Sequence, residues 1–394
     1  MLKALNEQGQ AVIAFSQPKE KLDALRQERL TCPACEAPVL LKAGTINIPH
    51  FAHERDASCD YGAGESETHL TGKMHLATWL FRQQYPVYLE QYIKAIDQRA
   101  DVLTKVKDTY VAFEYQCSSI DADELLARTE GYMSQGIIPI WIFGPNFRKP
   151  YQLSFYRVTP SMRTAILSEP YAKTPRFFTY DPADYSLHIH ETDFIHQHNA
   201  FTTTSHEPIS NWSLPHLFAH RAPQSNQTAG RQWLKQKQRF RSKQRQFHSD
   251  VERDYMNYLY SQSLHPQFLP SSIYLPAANY HVYQTPVYIW QTSFIIDCFN
   301  ELEVGERFDW QDIVGMMDVF FHDRLTSAYP GQPIHPLYDY MNTLETLGLL
   351  TKTSPKEFEK VSDVVFPKTL DEALALDEKA IETMFHVPQT ENVK

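Results

Sequence analysis

The pattern of hydrophobic and polar positions is clearest between residues 65 and 150. Apolar positions recur at helical spacing over Glu65–Arg82 and again over Asp123–Gln135. Four strand-like runs accompany these helices, at Val87–Tyr92, Ala100–Val106, Tyr110–Gln116 and Ile137–Phe143. The order helix, three strands, helix, strand predicts a mixed α/β sheet.

The remainder of the chain has weaker patterns. The first 14 residues predict a hairpin, and a short charged helix follows over Pro18–Arg29. Little periodicity is visible after residue 150 until one long helix is predicted over Gly230–Ser263. Three short helices then favour a winged-helix-like domain, at Trp290–Phe299, Trp310–Phe321 and Leu337–Leu350. The acid-rich last 40 residues are interpreted as a solvated tail with one amphipathic helix.

These patterns divide the chain into four segments. We expect an N-terminal module at 1–60, an α/β core at 61–150, a His-rich segment with a basic helix at 151–280, and a helical domain with an acidic tail at 281–394. The predicted architecture is therefore an α/β core between a small N-terminal module and a mainly α-helical C-terminal region.

Composition and charge exclude some classes of protein. The longest strongly apolar run has seven residues, whereas a membrane-spanning helix needs about 20, and no signal peptide is visible. Five cysteines with one close pair favour a reduced, cytoplasmic protein that carries a metal site. The net charge of −10 excludes a wholly basic nucleic-acid coat. Binding to DNA would then need local basic patches or a metal ion.

Residues 32–59 carry a candidate zinc site. Cys32 and Cys35 form a C-x2-C pair, and His50 and His53 follow as H-x2-H, which together supply four ligands for tetrahedral Zn²⁺. Cys59 is an alternative fourth ligand. The competing interpretation is a chance pair of cysteines with two surface histidines. Four filled positions leave no open site for water, so the zinc would stabilise the module or position DNA.

Acidic residues in the α/β core form a second candidate site. Glu65, His69 and Lys73 share one face of a predicted helix, whereas Asp101 and Glu114 lie on neighbouring predicted strands. An Asp and a Glu so placed can hold Mg²⁺, which prefers oxygen ligands and activates water in phosphodiester hydrolysis. The alternative is that Asp101 caps a turn and Glu114 is an edge-strand carboxylate.

Several motifs in register resemble one known family. CPAC, PHFAH, ESETHLTGK, RADV, FEYQCS, ELLARTEGY and IPIWIFG follow in the order and spacing of the CoiA competence-protein family. The resemblance implies a restriction-endonuclease-like core of the PD-(D/E)XK type behind a zinc-binding-like N-terminal segment. It also implies that the protein processes or helps recombine incoming DNA during natural transformation, beside the cell's recombinase and helicase.

The resemblance also suggests roles for individual residues. Asp101 and Glu114 become the metal-binding acids, and Gln116 stands where the PD-(D/E)XK pattern has lysine. Lys73 is the candidate to replace that lysine, Glu65 is a further acid and His69 is a phosphate or water contact. A helix motif of RecB-like nucleases is matched by Arg128 and Tyr132, which would reach a substrate phosphate or a neighbouring acidic ligand.

A basic stretch in the third segment is a candidate DNA-binding surface. No acidic residue occurs between Pro208 and Ser249. The cations proposed to contact phosphate are Arg231, Lys235, Lys237, Arg239, Arg241, Lys243 and Arg245. Trp233, Phe240 and Phe247 lie among them and either stack on bases or pack on the protein.

The sequence thus predicts a cytoplasmic nuclease that uses Mg²⁺ or Mn²⁺ on single-stranded or branched DNA, with structural Zn²⁺ and no membrane contact. Two alternatives stay open. One is a recombination accessory that binds DNA but has lost its chemistry, as the glutamine at 116 allows. The other is a nuclease that acts on foreign DNA.

Overall fold

The computed structural model confirms a large mixed sheet in the first half of the chain. It describes all residues except 45–47, 54–58, 60–64, 149, 153–154, 169–170, 173, 197–198, 220–225, 243–248, 278–282, 284, 322–334 and 386–394. The chain divides into two compact units. The first contains residues 1–192 and 204–222, and the second contains residues 193–203 and most of the chain from 223 onwards.

The N-terminal module is a five-stranded sheet with the order β2-β1-β3-β4-β5. Its elements are β1 (Lys3–Leu5), β2 (Ala11–Ile13), α1 (Lys19–Leu25), β3 (Leu30–Thr31), β4 (Pro38–Lys42) and β5 (His50–His53). The predicted hairpin is confirmed, because β1 pairs antiparallel with β2. Leu25, Leu30, Val39 and Phe51 form the centre of a small apolar core that holds the sheet together.

The α/β core has the order that the apolar pattern predicts. It consists of α2 (Glu67–Arg82), β6 (Val87–Ile93), β7 (Gln98–Val106), β8 (Thr109–Gln116), α3 (Ala122–Ser134) and β9 (Ile137–Phe143). Ser66 and Asp121 cap α2 and α3 with their side chains, which fixes where both helices begin. Strands β6, β7 and β8 are antiparallel, and β9 runs parallel to β8.

The sheet continues past residue 150, where the sequence pattern ends the core. The additional elements are β10 (Pro150–Gln152), β11 (Phe155–Arg157), α4 (Pro160–Thr164), β12 (Arg176–Asp181), β13 (Ser186–His196), β14 (Asn199–Pro208) and α5 (Leu214–Ala219). The nine strands have the order β10-β11-β14-β13-β12-β9-β8-β7-β6. Polar residues are buried here with partners: His190 lies between the hydroxyls of Thr179 and Thr204, at 2.9 and 3.0 Å. Such residues hide the apolar alternation that marks a strand.

The predicted long helix is wrong, because this stretch contains two helices. They are α6 (Asn226–Ser242) and α7 (Asp250–Ser261). Ser249 has extended backbone, and its side chain accepts the N–H of Glu252 as the N-cap of α7. A continuous helix would require helical backbone at this serine.

Helices and strands then alternate in the order of a winged helix. The elements are α8 (Val287–Ser293, continued as a π-helix over Phe294–Phe299), β15 (Arg307–Asp309), α9 (Trp310–Met317), α10 (Pro336–Thr346), β16 (Leu350–Lys352) and β17 (Glu357–Lys360). The three strands form a small antiparallel sheet in the order β15-β17-β16. The three predicted helices are present, together with three short strands that the sequence pattern did not predict.

The acidic tail is not simply solvated, which corrects the sequence interpretation. Its helix, α11 (Leu370–Phe385), packs against α6, and Asp377 is fully buried. The Asp377 carboxylate accepts hydrogen bonds from Arg241 at 2.6 and 2.8 Å and lies 3.3 Å from Lys237 Nζ. Lys237 also donates to the carbonyl oxygens of Ser271 and Ile273. Two of the seven predicted cations of the basic stretch are therefore part of a buried ionic cluster.

Replacement of Asp377 by alanine should destabilise the C-terminal unit by about 3–5 kcal/mol, because it leaves two buried cations without their carboxylate. The measurement is denaturant unfolding followed by tryptophan fluorescence, since Trp233 on α6 is buried. Glu378→Ala, an exposed neighbour on the same helix, is the matched control and should change stability by less than about 0.5 kcal/mol. Equal stability of the two variants would contradict the buried cluster.

Candidate functional site

A cleft of about 400 Å³ lies between the first turns of α2 and α3 and the strands β7 and β8. It is lined by Glu65, His69, Asp97, Gln98, Arg99, Asp101, Glu114, Gln116, Glu124 and Arg128. Gly72 allows α2 to pack closely against β8, the strand that carries Glu114 and Gln116 of this cleft. A Cβ atom at this position would lie 2.0 Å from the Tyr115 ring.

Three side chains in the cleft converge as metal ligands would. Glu65 precedes the N-cap of α2, His69 lies one turn further on, and Asp101 projects from β7. One ligand atom from each of the three lies within 4.8 Å of the others, and His69 Nε2 is 3.2 Å from Asp101 Oδ2. We call these three residues the acidic cluster.

The Lys73 ammonium is fully buried beside the acidic cluster. Its Nζ atom lies 2.7 Å from Glu65 Oε1, 2.7 Å from Glu90 Oε1 and 3.7 Å from Asp101 Oδ1. Burial alone would lower the pKa of Lys73, but the three carboxylates outweigh burial and raise it. Lys73 is absent from the described lining of the cleft, so it acts on the site through the carboxylates that it contacts.

The carboxylates of the acidic cluster are held in their ionised form. Burial would raise the pKa of Asp101, but His69, Lys73 and the N–H of Tyr115, 2.9 Å away, keep it far below its usual range. Burial likewise opposes ionisation of Glu65, and the charges of Lys73 and Arg99 lower its pKa. The cluster therefore presents two negative charges near neutral pH.

Glu114 lies in the cleft but outside the acidic cluster. One of its carboxylate oxygens accepts a hydrogen bond from Arg128, and the other accepts one from the Tyr132 hydroxyl at 2.6 Å. Burial raises the pKa of Glu114, against the opposing charge of Arg128. The sequence pairs Glu114 with Asp101 as metal ligands, whereas the structure turns its side chain towards α3.

Other predicted site residues have different surroundings. Gln116 lines the cleft and donates to the carbonyl oxygen of Ser118 at 2.8 Å. Tyr132 is fully buried and donates to Glu114, which matches the neighbouring acid among its two predicted partners. Arg128 stays partly exposed at the cleft, with its guanidinium over the Trp141 ring.

Sequence reasoning misses two charged residues at the site. Arg99 donates to Glu65 at 3.0 Å, and Glu90 binds Lys73. Arg99 stands in the RADV motif, two residues before Asp101. Glu90 lies in an otherwise apolar strand, and a carboxylate there is costly unless it is paired. That cost is the signal that could have identified it.

The N-terminal module contains a second cluster with metal-ligand geometry. Cys32, Cys35, His53 and Cys59 place their ligand atoms within 4.8 Å of one another, with Cys35 Sγ 3.3 Å from His53 Nε2. The N–H of Ala34 donates to Cys32 Sγ at 3.4 Å, within the tight turn between β3 and β4. We call these four residues the Cys/His cluster.

His50 is not part of this cluster, contrary to its predicted role as a ligand. Both histidines lie on β5, and side chains three positions apart on a strand point to opposite faces. The Nδ1 atom of His50 instead donates to the carbonyl oxygen of Ile48 at 2.8 Å. Cys59, the alternative ligand, takes the fourth place.

The basic stretch presents only part of its predicted charge to solvent. Arg231, Lys235 and Arg239 are exposed at intervals of four residues on α6, and we call them the α6 stripe. Lys237 and Arg241 are buried, and Lys243, Arg245 and Phe247 lie outside the described residues. The aromatic residues pack on the protein: Trp233 donates to the carbonyl oxygen of Tyr274, and the Phe240 ring contacts Tyr274 and Tyr288.

Comparison with protein families gives matches for three consecutive parts of the chain. Residues 14–62 match the N-terminal domain, residues 65–222 the nuclease-like domain and residues 229–374 the C-terminal domain of competence protein CoiA. A curated relative, competence protein CoiA of Bacillus subtilis (strain 168), is 33% identical over 270 residues, which cover 68% of this chain and 71% of the relative. The chain belongs to the CoiA competence-protein family.

This membership confirms the resemblance seen in the sequence motifs and supports a role in competence for this CoiA-family chain. The nuclease-like domain of the family spans the nine-stranded sheet as far as residue 222, so it contains the cleft and the acidic cluster. No solved structure matches the chain. Among the described residues, no helix has both the length and the apolar character required to cross a membrane.

Proposed function

We propose that this CoiA-family chain is a metal-dependent deoxyribonuclease that processes incoming DNA during natural transformation. The observation that carries the proposal is the acidic cluster, in which two ionised carboxylates and one imidazole converge at the cleft of the nuclease-like domain. The proposed substrate is single-stranded or branched DNA. The proposed location is the cytoplasm, beside the recombinase and helicase of the transformation machinery.

The donor set of the acidic cluster fits Mg²⁺ or Mn²⁺. Carboxylate oxygens are the ligands that these hard ions prefer, and an imidazole is compatible with Mn²⁺. Glu65, His69 and Asp101 would hold the ion, and the ion would supply Lewis-acid stabilisation of phosphate and an activated water. Glu114, 2% exposed and bound to Arg128, would join only if that ion pair opened.

The protein's own side chains would orient the substrate. The Arg128 guanidinium is 30% exposed at the cleft and offers donors that match a phosphate group. The Gln116 side chain lines the same cleft, where its amide supplies a neutral contact in the place of a lysine. Lys73 keeps Glu65 and Asp101 ionised, which prepares both side chains to bind a cation.

Asp101→Asn and Glu65→Gln should each reduce Mg²⁺- or Mn²⁺-dependent DNA cleavage about 100-fold or more, as expected when transition-state charge stabilisation is lost. The measurement is a cleavage time course on single-stranded, duplex and branched DNA. Glu124→Gln, an exposed carboxylate in the same cleft, is the matched control and should cleave normally. Wild-type cleavage that persists in EDTA, or full activity of both site variants, would overturn the proposal.

We also propose that the Cys/His cluster binds structural Zn²⁺. Tetrahedral zinc with Zn–S distances of about 2.3 Å separates its sulfur ligands by roughly 3.8 Å, which fits atoms that lie within 4.8 Å of one another. Three cysteines and one histidine fill all four positions. The zinc would therefore stabilise the N-terminal sheet and would not take part in cleavage.

Metal analysis of the purified protein should give about one zinc per chain. His53→Ala and Cys59→Ser should lose it, because each removes a ligand of the Cys/His cluster. His50→Ala should retain zinc, since this histidine bonds to a backbone carbonyl. Loss of zinc in His50→Ala with retention in Cys59→Ser would show that the ligand set is wrong.

A second candidate function is DNA binding without cleavage. Two observations favour it: Gln116 stands in the place of the lysine of the PD-(D/E)XK pattern, and Lys73 is fully buried. The α6 stripe would then supply sequence-independent contacts with phosphates. Wild-type protein that binds DNA and leaves it intact in Mg²⁺ and Mn²⁺ would favour this function over the first.

Replacement of the α6 stripe by alanines should weaken binding to single-stranded DNA. The slope of log affinity against log salt should become shallower by about 2, because each lost phosphate contact contributes about 0.7. The matched control removes three other exposed cations of the same unit, Lys356, Lys368 and Lys379. If the control changes the slope as much as the stripe does, the α6 stripe is not a specific DNA surface.

A further inference from the structure

Glu90 connects the N-terminal module with the Lys73 ammonium. It lies on β6 with 1% of its surface exposed. One carboxylate oxygen accepts from Lys73 Nζ at 2.7 Å, and the other accepts the backbone N–H groups of Leu2 and Lys3 at 2.8 and 3.0 Å. Both oxygens of this carboxylate are therefore occupied, one by the α/β core and one by β1.

The backbone at Glu90 is held in an uncommon conformation. Its φ angle is 46°, in the left-handed region that residues with a Cβ rarely adopt. Such strain persists when the surrounding contacts outweigh it. Here the contacts are the three hydrogen bonds to the carboxylate, which place this side chain between β1 and Lys73.

The strand that binds Glu90 belongs to the sheet that carries the Cys/His cluster. Leu5 on β1 pairs with Thr31 on β3, directly before Cys32. At the other side of the module, the N–H of Phe51 donates to the carbonyl oxygen of Met1 at 2.8 Å, and Phe51 is two residues before His53 on β5. Residues close in sequence to Cys32 and His53 are thus paired with β1 or with Met1, just before it.

We propose that Glu90 is a positioning residue. Through Glu90, the position of the Lys73 ammonium depends on an N-terminal module that is folded and contains its metal. Glu90 on β6 accepts a hydrogen bond from Lys73, and Leu2 and Lys3 at the start of β1 donate to Glu90. The Cys/His cluster stabilises the sheet that contains β1. The link is a property of the fold. Its consequence for cleavage, an acidic cluster that assembles only when the module is folded, rests on the proposed nuclease function.

The test measures how fast Lys73 of the full-length protein is acylated by an amine-reactive reagent, with quantification by mass spectrometry. Lys3→Pro removes the N–H that binds Glu90, whereas Lys3→Ala removes the same side chain and keeps this N–H. We expect Lys73 to react about tenfold faster in Lys3→Pro than in Lys3→Ala, as loss of one charge-assisted hydrogen bond implies. The exposed Lys94 and Lys107 should react equally in both proteins.

Two further arms connect the result to the metal and to Glu90. Wild-type protein stripped of metal by a chelator should also show faster Lys73 acylation, and so should Glu90→Gln, whereas Glu124→Gln should not. Equal Lys73 rates in the two Lys3 variants, with circular dichroism showing both folded, would overturn the proposal. If Glu90→Gln fails to fold, the Lys3 pair alone decides.

A readout at the reaction centre separates positioning from simple support of the fold. If the protein is a nuclease, Lys3→Pro should lower kcat for DNA cleavage relative to Lys3→Ala and leave KM unchanged, because a displaced Lys73 no longer fixes the positions of Glu65 and Asp101. If Lys73 is acylated faster but the protein never cleaves DNA, the role of Glu90 is supported and the nuclease function is rejected. If the protein cleaves DNA but Lys73 acylation is unchanged, the nuclease function is supported and the role of Glu90 is rejected.

Discussion

The rest of the site depends on the ion pairs between the buried Lys73 ammonium and its neighbouring carboxylates. Removing a charge from water costs several kcal/mol unless counter-charges lie close by with good geometry. Three carboxylates meet this requirement, and they come from the start of α2, from β6 and from β7. A single cation therefore fixes the relative positions of three elements, and the cleft takes its shape from that arrangement.

Much of the core could be predicted because its apolar residues follow the spacing that is typical of helices or of strands. Helices α2 and α3 each bury one apolar face, and strands β7 to β9 are short apolar runs buried on both faces, so the pattern reveals both their type and their order. The grouping of Glu65, His69 and Asp101 follows partly from this periodicity, since the spacing of four residues brings the first two together although Glu65 precedes the N-cap of α2. What periodicity cannot show is which way an acid turns, and Glu114 turns towards Arg128 and Tyr132.

Other parts escaped prediction for physical reasons. The spacing of His50 and His53 suggests two ligands only if their local structure is ignored, because a strand sends them to opposite faces. Thr179, His190 and Thr204 on β12, β13 and β14 satisfy one another, so buried polar residues interrupt the apolar pattern of these strands. The partner of the basic helix lies 136 residues along the chain, beyond the reach of any local pattern.

That distant partner has a consequence for how the protein is handled. A chain truncated before Leu370 would lose Asp377 and turn Lys237 and Arg241 from buried counter-ions into an exposed cationic surface. Its attraction to polyanions would then be an artefact of truncation, since the intact protein does not present that surface. Helix α11 thus covers two cations of α6. The net charge of −10 includes the carboxylate of Asp377, which is not exposed to solvent.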